Sequence, residues 1–306
     1  MKRAVSISIG SGRRDKVLQM QLLGQTIQLE RRGTNGNLAE AERMFGELDG
    51  MVDAFGLGGT DLGLRVADRW YPMYSTARVV RRVQRTPVVD GTGLKVVLEN
   101  RAPRLIEEQL GVSLRGKRVF VLTAVDRWGL SHAFVQAGCD CIFGDLLFSL
   151  GLPFVLRSEA AIQNLARVMM PVVLRLPFHW IYPTGSAQEK RTPAYQRYFE
   201  QADIIAGDCH YLRRYMPERL PGKILVTNTT TEEDRAFFAA AGVRALVTTT
   251  PVIEGRSFGT NVMEAALIAC VGRSQPVDYA HPGDYFDFLA QLLDEARIAP
   301  QVQELS

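Results

Sequence analysis

Val88-Val89-Asp90-Gly91-Thr92-Gly93-Leu94 and, about twenty-five residues later, Gly116-Lys117-Arg118-Val119-Phe120-Val121-Leu122-Thr123 are the stretches that decide the fold. The first is a short apolar strand that ends at a carboxylate on a glycine-rich turn. The second opens another strand, at the start of a unit typical of nucleotide-binding proteins. We therefore predict two α/β domains: residues 1–112 as an N-terminal, substrate-type domain and residues 113–306 as a second domain.

Strands and helices alternate along the N-terminal part. We predict a strand over Ala4 to Ile9, a hairpin over Val17 to Gln28 that turns at Leu23-Gly24, and helices over Asn37 to Leu48 and Ser75 to Val83. The stretch from Gly93 to Leu110 is also predicted to be mostly helical.

The C-terminal part repeats this alternation. Strands are predicted over 119–122, 141–143, 203–206, 223–226 and 244–247, with helices between them. This order predicts a Rossmann-like, mostly parallel sheet with helices on both faces. A final helix is predicted near Asn261, because Asn261 and Glu264 have capping-box spacing.

Composition limits the class of protein. The net charge of +3 over 306 residues is too small to indicate nucleic acid or an anionic membrane as the main partner. No apolar run is long enough to span a bilayer, so we expect a cytoplasmic protein with a small-molecule substrate, and a homodimer is left open. The four cysteines are irregularly spaced, which favours free thiols over a metal site.

The segment from Val119 to Asp145 is the candidate cofactor site. A dinucleotide needs a tight turn after the first strand, a helix N-terminus for its pyrophosphate, and an acid after the second strand for its ribose. The residues at these places are Thr123, Arg127, Gly129 and Asp145, and the cofactor expected there is NAD or NADP. The turn contains one glycine instead of the usual three, so a βαβ unit that binds no dinucleotide is the alternative.

Asp90 is the candidate catalytic residue. An aspartate at the carboxyl end of a strand is well placed to take a proton from a substrate hydroxyl, and Lys95 is the nearby lysine. The alternative is that Asp90 caps the helix that follows it. The two roles are compatible.

The motif Asp90-Gly91-Thr92-Gly93-Leu94, followed by Leu98-Glu99 and the strand from Gly116 to Leu122, resembles a passage of the shikimate and quinate dehydrogenases. The whole chain also resembles bacterial quinate 5-dehydrogenases. The resemblance implies a cofactor domain after the motif, and a catalytic aspartate that works with a lysine, which would give Asp90 that role.

The sequence departs from this family at three places. The Asn-Val-Thr-x-Pro-x-Lys motif that supplies the family's lysine is absent, the glycine-rich nucleotide turn is replaced, and the early paired serines have no clear match, although Ser6, Ser8 and Ser11 are available. The similarity covers roughly Pro87 to Asp145.

Two further groups of residues are candidates for binding the substrate. Gly58, Gly59, Thr60 and Asp61 follow a buried strand and form either an anion-binding nest or a tight turn that needs positive φ. Polar residues near the C-terminus also follow strands, where open α/β sheets bind ligands. Those we select are Asn228, Thr249, Arg256 and Ser257.

Two functions are compatible with these residues. The first is an NAD(P)-dependent oxidoreductase that acts on a polyhydroxylated carboxylic acid such as quinate or shikimate. The second is a non-redox protein, a sensor or a transferase, that binds a nucleotide or a phosphorylated metabolite in a cleft between the two domains.

Overall fold

The computed structural model describes residues 1–176, 191–250, 252–253, 256–257 and 259–305. The chain forms two compact units, both of the α/β class. The first comprises Met1–Val97, Pro171–Phe178 and Phe258–Ile298, and the second comprises Leu98–Met170, His179–Ser257 and Ala299–Ser306. The predicted division at residue 112 places the segment 258–298 in the second domain, whereas in the structure its helices pack into the first unit.

The first unit is built on a five-stranded sheet in the order β2-β3-β1-β4-β7. All neighbouring strands are parallel except the hairpin of β2 and β3. Its strands are β1 (Lys2–Ser8), β2 (Lys16–Leu22), β3 (Gln25–Gly33), β4 (Ala54–Gly58) and β7 (Val88–Val89), and a separate hairpin joins β5 (Gly63–Val66) and β6 (Arg69–Pro72).

The hairpin of β2 and β3 turns at Leu23 and Gly24, as predicted. Both residues have positive φ, 50° and 72°, which is what a two-residue hairpin turn of the favoured hand requires. The predicted helix over 37–48 is also present, as α1 (Leu38–Leu48), and the side chain of Asn37 caps it by accepting from the backbone N–H of Glu40.

The helix predicted over Ser75 to Val83 is present only at its start. The helix α2 spans only Tyr74–Ala77. Beyond it the backbone N–H groups of Val79 and Val83 bond three residues back, which is the spacing of turns. The carboxylate of Asp49 then accepts from the backbone N–H groups of residues 84, 85 and 86 and fixes a non-helical path.

Three longer helices complete the first unit: the first turns of α3 (Thr92–Leu110), then α10 (Thr260–Val271) and α11 (Tyr285–Glu295). Helix α10 packs against β1 and β4, and its residues from Val262 to Cys270 are all buried. The sequence predicted C-terminal helices and located one of them, near Asn261, but it did not locate α11. Val5, Ile7, Phe45, Phe55 and Leu57 form the core between the sheet and α1.

The second unit contains a six-stranded sheet in the order β15-β12-β11-β10-β8-β9. Five strands are parallel, and β15 pairs antiparallel with β12. The strands are β8 (Arg118–Val121), β9 (Asp140–Phe143), β10 (Ile204–Ala206), β11 (Ile224–Thr227), β12 (Ala245–Thr248) and β15 (Gln301–Glu304). A short antiparallel pair, β13 (Val252–Ile253) and β14 (Arg256–Ser257), follows β12.

Helices connect the parallel strands of this sheet, which confirms the predicted α/β class with a mostly parallel sheet. They are α4 (Trp128–Gln136), α5 (Asp145–Leu150), α6 (Glu159–Val173), α7 (Gln196–Gln201), α8 (Cys209–Tyr215) and α9 (Glu232–Ala240). In chain order the five parallel strands are arranged 2-1-3-4-5, the doubly wound order of the flavodoxin type. Phe120, Ile205, Leu225, Phe238 and Leu246 are fully or almost fully buried in its core.

Candidate functional site

The strand order of the second unit determines where a ligand site is expected. The chain reverses direction across the sheet between β8 and β10, and open α/β sheets bind ligands outside the carboxyl ends of the strands at such a switch point. The loop from Thr123 to Arg127 follows β8, Asp208 follows β10, and Asn228 follows β11. Polar side chains therefore converge at this edge of the sheet.

Arg127 lies at the centre of this edge and is only 6% exposed. Its Nη1 donates to Glu99 Oε1 at 2.6 Å, and its Nη2 donates to Asp208 Oδ2 at 3.3 Å. Burial lowers the pKa of Arg127, but the charges of Glu99, Asp126 and Asp208 outweigh it and hold that pKa above its usual value. The guanidinium is therefore a permanent charge bonded to the protein's own carboxylates.

Glu99 occupies the amino end of α4, where the sequence predicted a pyrophosphate. Its side chain is 1% exposed, and its Oε2 accepts from the backbone N–H of Leu130 in the first turn of that helix at 3.3 Å. A buried anion is thus already present at the positive end of the helix dipole.

Asp145 also bonds to the protein at its predicted place. It is the first residue of α5, and its two carboxylate oxygens accept from the backbone N–H groups of Ala124 and Val125, each at 2.9 Å. These are the N–H groups of the turn that would approach a dinucleotide. Burial raises the pKa of Asp145, and the two hydrogen bonds act in the opposite direction.

The other predicted cofactor residues lie beside this turn. Thr123 is 7% exposed, and its backbone oxygen accepts from the N–H of Arg127 at 3.2 Å. Gly129 is buried in the first turn of α4. The structure brings all four predicted residues, Thr123, Arg127, Gly129 and Asp145, to one edge of one sheet.

Some polar side chains at this edge of the sheet are exposed to solvent. The side chains of Asp126 and Asp208 are 40% and 25% exposed. Asn228 Nδ2 donates to Asp208 Oδ2 at 2.6 Å, and this carboxylate also caps α8 through the backbone N–H of His210. Burial raises the pKa of the Tyr211 hydroxyl, and the charges of Tyr215, Asp126 and Asp208 raise it further. The accessible groups are therefore two carboxylates, which accept hydrogen bonds, and a tyrosine hydroxyl that stays protonated.

Two aromatic side chains stack at the amino end of α4. Trp128, the first residue of α4, stacks on His132 with ring centroids 6.0 Å apart and planes at 13°. His132 Nδ1 lies 2.7 Å from Glu159 Oε1. The Trp128 ring is partly exposed, so an apolar face is available close to the acidic groups.

Asp90, the predicted catalytic residue, ends β7 and precedes α3 in the first unit. It is 4% exposed, and its two oxygens accept from the backbone N–H groups of Leu62 at 2.6 Å and Thr92 at 2.9 Å. Burial raises its pKa. The helix-capping role that the sequence left open is therefore present. Lys95 is partly buried in the first turns of α3, where its backbone N–H donates to Gly91.

Glu264 is the residue that sequence reasoning placed wrongly. It does not form a capping box with Asn261, because Glu264 is fully buried and its Oε2 accepts from the backbone N–H of Leu94 in α3 at 3.0 Å. The hydroxyls of Tyr279 and Tyr285 donate to its Oε1 at 2.6 and 2.7 Å. The available signal was a single glutamate within the otherwise apolar stretch Val262 to Cys270.

Burial, together with the charge of Asp90, raises the pKa of Glu264 to about 7 against the hydrogen bonds from Tyr279 and Leu94. Asn261, the other half of the predicted box, donates instead through Nδ2 to Ser6 Oγ at 2.7 Å.

The glycines after β4 serve the turn that was the alternative to a nest. Gly59 has a φ of 74°, which favours glycine. A Cβ on Gly58 would lie 2.9 Å from Asn261 Nδ2 and 3.1 Å from Ser8 Cβ. Thr60 is buried with its hydroxyl 3.5 Å from Met73 Sδ, and the backbone oxygen of Asp61 accepts from Thr76.

The remaining predicted residues follow β12. Thr249 is 4% exposed, and its backbone N–H donates to Thr227 at 2.8 Å. Arg256 and Ser257 pair through their backbones with Ile253 and Val252. Their side chains lie outside the described part of the structure.

No helix within the described residues is both long and apolar enough to cross a membrane. Within the same residues, no three His, Cys, Asp or Glu side chains are grouped so that they could hold a metal ion.

Solved structures similar to this chain include an enzyme and a binding protein. The NAD-dependent malic enzyme of Thermotoga maritima is 12% identical, with 98% of this chain and 80% of that chain covered and a TM-score of 0.41. An arabinose binding protein of Geobacillus stearothermophilus is 9% identical, with 99% and 97% covered and a TM-score of 0.42. Neither similarity assigns an activity to this chain. No curated protein matches it.

Two family models match consecutive parts of the chain. Residues 3–90 match a domain of unknown function, DUF8753. Residues 93–305 match a second domain of unknown function, DUF8754. Because the second match covers more than half of the sequence, this chain belongs to the DUF8754 family.

Proposed function

We propose that this chain is a non-redox protein that binds a small, uncharged, hydroxyl-rich molecule at the switch point of its second unit, as a sensor or a transferase. The observation that carries the proposal is the occupation of the dinucleotide positions by the chain itself. Glu99 lies at the amino end of α4, and Asp145 bonds to the turn after β8.

Electrostatics disfavour a phosphate at this edge. Glu99, Asp126 and Asp208 surround the guanidinium of Arg127, which already pairs with all three carboxylates. A phosphate charge about 4 Å from Glu99 would be repelled by about 4 kcal/mol at an effective dielectric constant near 20. A pyrophosphate carries at least two such charges, so NAD and NADP are poor ligands for this arrangement.

The accessible groups favour hydroxyl donors. Asp126 and Asp208 can each accept from neighbouring hydroxyls of a polyol, and hydrogen bonds to a carboxylate are about twice as strong as neutral ones. Asn228 is held beside Asp208 and brings an amide to the same place. The partly exposed Trp128 ring supplies an apolar face for the C–H side of a sugar-like ring. The buried Arg127 orients Asp208 by a hydrogen bond and need not contact the ligand.

The second candidate is the dehydrogenase that the resemblance implies, with NAD or NADP as cofactor and a quinate-like or shikimate-like substrate. It is favoured by the position of Asp90, at the carboxyl end of β7 and directly before α3. In that mechanism Asp90 would accept the proton of the reacting hydroxyl. Both of its oxygens already accept backbone N–H groups, so its capping bonds would have to loosen during turnover.

Calorimetric titration of the full chain tests the proposal. The ligands are myo-inositol, glucose and arabinose as neutral polyols, quinate and shikimate as anionic ones, and NAD and NADP. We expect at least one neutral polyol to bind, and at a hundred times its dissociation constant to add about 2.7 kcal/mol to the free energy of unfolding. Neither dinucleotide should bind.

Two variants locate the site. Asp126→Asn removes an accessible charged acceptor and should weaken polyol binding roughly tenfold. Asp140→Asn is the matched control, because Asp140 is exposed at the opposite end of the same sheet, and it should bind like the wild type. Binding of NAD or NADP with turnover of quinate or shikimate would replace the proposal with the dehydrogenase. Absence of binding by every neutral polyol would overturn it directly.

A further inference from the structure

A cavity lies in the second unit beside β12 and β15, at the carboxyl ends of the parallel strands but away from the switch point between β8 and β10. It has a volume of about 210 Å³, and its lining includes Thr230, Arg235, Thr248, Thr250, Gln301 and Gln303. At about 30 Å³ for each water molecule, this volume holds roughly seven waters or a small metabolite fragment.

The register of the sheet explains why these residues meet. Thr248 pairs with Gln301 and Leu246 pairs with Gln303 across β12 and β15. Alternate residues of a strand share one face, so both pairs lie on the same face. Thr230 follows β11, the neighbouring strand, and Arg235 lies in α9.

Four side chains that line this cavity make no bond to another described residue. Neither the Arg235 guanidinium nor the hydroxyls of Thr230, Thr248 and Thr250 form a hydrogen bond or ion pair with any described residue. Thr230 and Thr250 are 8% and 3% exposed, and their hydroxyl oxygens are accessible from the cavity.

The charged group of this cavity is a cation. Among the described residues that line it, Arg235 is the only charged one. Of the three acids in the first turn of α9, Asp234 closes a capping box with Thr231 and pairs with Arg213, which also pairs with Glu233. The third, Glu232, is exposed and is not part of the cavity lining. This composition is opposite to that of the acidic switch point.

The geometry points to a binding site for a small oxyanion, a phosphate ester or a carboxylate, held by the fork of Arg235 and the hydroxyls of Thr230, Thr248 and Thr250. A guanidinium binds two oxygens of such a group at once, and threonine hydroxyls donate to the others. The site is independent of the switch point, because it shares no residue with it.

Calorimetric titration of the full chain with inorganic phosphate, glycerol 3-phosphate and acetate tests this site, at constant ionic strength maintained with chloride. We expect an oxyanion to bind and chloride to leave the heat signal unchanged. Tighter binding of glycerol 3-phosphate than of acetate would identify a phosphate ester as the ligand, and the reverse order a carboxylate.

Substitutions show where the anion binds. Arg235→Gln should weaken binding roughly 10- to 100-fold, and Thr250→Val, which keeps the side-chain shape, roughly 3- to 10-fold. Arg244→Gln is the matched control, since Arg244 precedes β12 at the opposite edge of the sheet, and it should bind like the wild type. Amide NMR shifts should be confined to residues around 230, 248 and 250. Equal binding by Arg235→Gln and the wild type, or no binding of any oxyanion, would overturn the assignment.

Discussion

The amino ends of α3 and α4 are both covered by buried carboxylates, but their charges are compensated differently. At α3, in the first unit, Asp90 and Glu264 accept backbone N–H groups, and Glu264 is completed by two tyrosine hydroxyls. At α4, in the second unit, Glu99 accepts a backbone N–H and pairs with Arg127. At α3 the buried carboxyl of Glu264 is compensated by tyrosine hydroxyls and by its own protonation. At α4 the buried carboxylate of Glu99 is compensated by the permanent charge of Arg127.

This difference determines how each end responds to its surroundings. A carboxyl whose pKa burial has raised changes its charge near neutral pH, whereas a carboxylate paired with a guanidinium keeps its charge. The first unit should therefore be sensitive to pH at its helix end, and the second should be sensitive to loss of its arginine.

The largest effect is expected from Arg127→Met. This change leaves Glu99, which is 1% exposed, without its cation, and an uncompensated buried charge costs about 3–5 kcal/mol. Chemical denaturation measures the loss. The double variant Glu99→Gln with Arg127→Met should recover most of it. A loss below about 1 kcal/mol in the single variant would show that Arg127 is not needed to compensate Glu99.

A smaller effect is expected from titrating Glu264. Its pKa is about 7 in the folded chain against 4.5 for an ordinary glutamate, so the native state holds a proton that the unfolded state has lost between these values. The free energy of unfolding should therefore fall as pH rises through this window, by at most about 3 kcal/mol. Denaturation between pH 4.5 and 8 measures this fall.

Glu264→Gln should flatten this dependence, because the amide cannot titrate. Glu232→Gln is the control, since Glu232 is exposed in the first turn of α9 and should leave the slope unchanged. Equal slopes in Glu264→Gln and the wild type would assign the pH dependence to other groups.

The smallest effect concerns the packing beside Asp90. Gly91 has a φ of 93°, and a Cβ there would lie 2.4 Å from Thr260 Oγ1. Gly91→Ala should destabilise the chain by about 2 kcal/mol more than Gly24→Ala, whose φ is also positive but whose Cβ would meet nothing within 4 Å. Thermal denaturation of both variants measures the difference. If the two losses are equal, backbone strain alone explains the glycine.

The sequence predicted those elements whose signals are local. The turn at Leu23-Gly24, the cap at Asn37 and most of the alternating strands of the second unit were identified from neighbouring residues. The return of residues 258–298 to the first unit was not, because its contacts join residues far apart in sequence, such as Asn261 and Ser6, which are separated by 255 positions.

The candidate site divides in the same way. The sequence placed Arg127 in the turn after one strand and Asp145 at the end of the next, and the structure has both at these places, beside the switch point. The sequence could not show that Arg127 and Asp145 bond to the protein itself and not to a cofactor. Their partners are distant in sequence, because Glu99 precedes Arg127 by 28 positions and Asp145 follows Ala124 by 21. For the same reason the sequence predicted Glu264 to form a capping box with Asn261. The tyrosines that bind Glu264, Tyr279 and Tyr285, are distant in sequence and reach it only in the folded chain.

The strand β15 also has a consequence for the order in which the protein is made. Because it adds to β12 from residues 301–304, the outer edge of β12 has no neighbour while the rest of the chain is being synthesised. Unpaired parallel edges are templates for association with other chains. A ribosome-bound chain that lacks these residues would expose that edge, and it would also lack one wall of the oxyanion cavity. Ligand binding there would then begin only when synthesis of this strand ends.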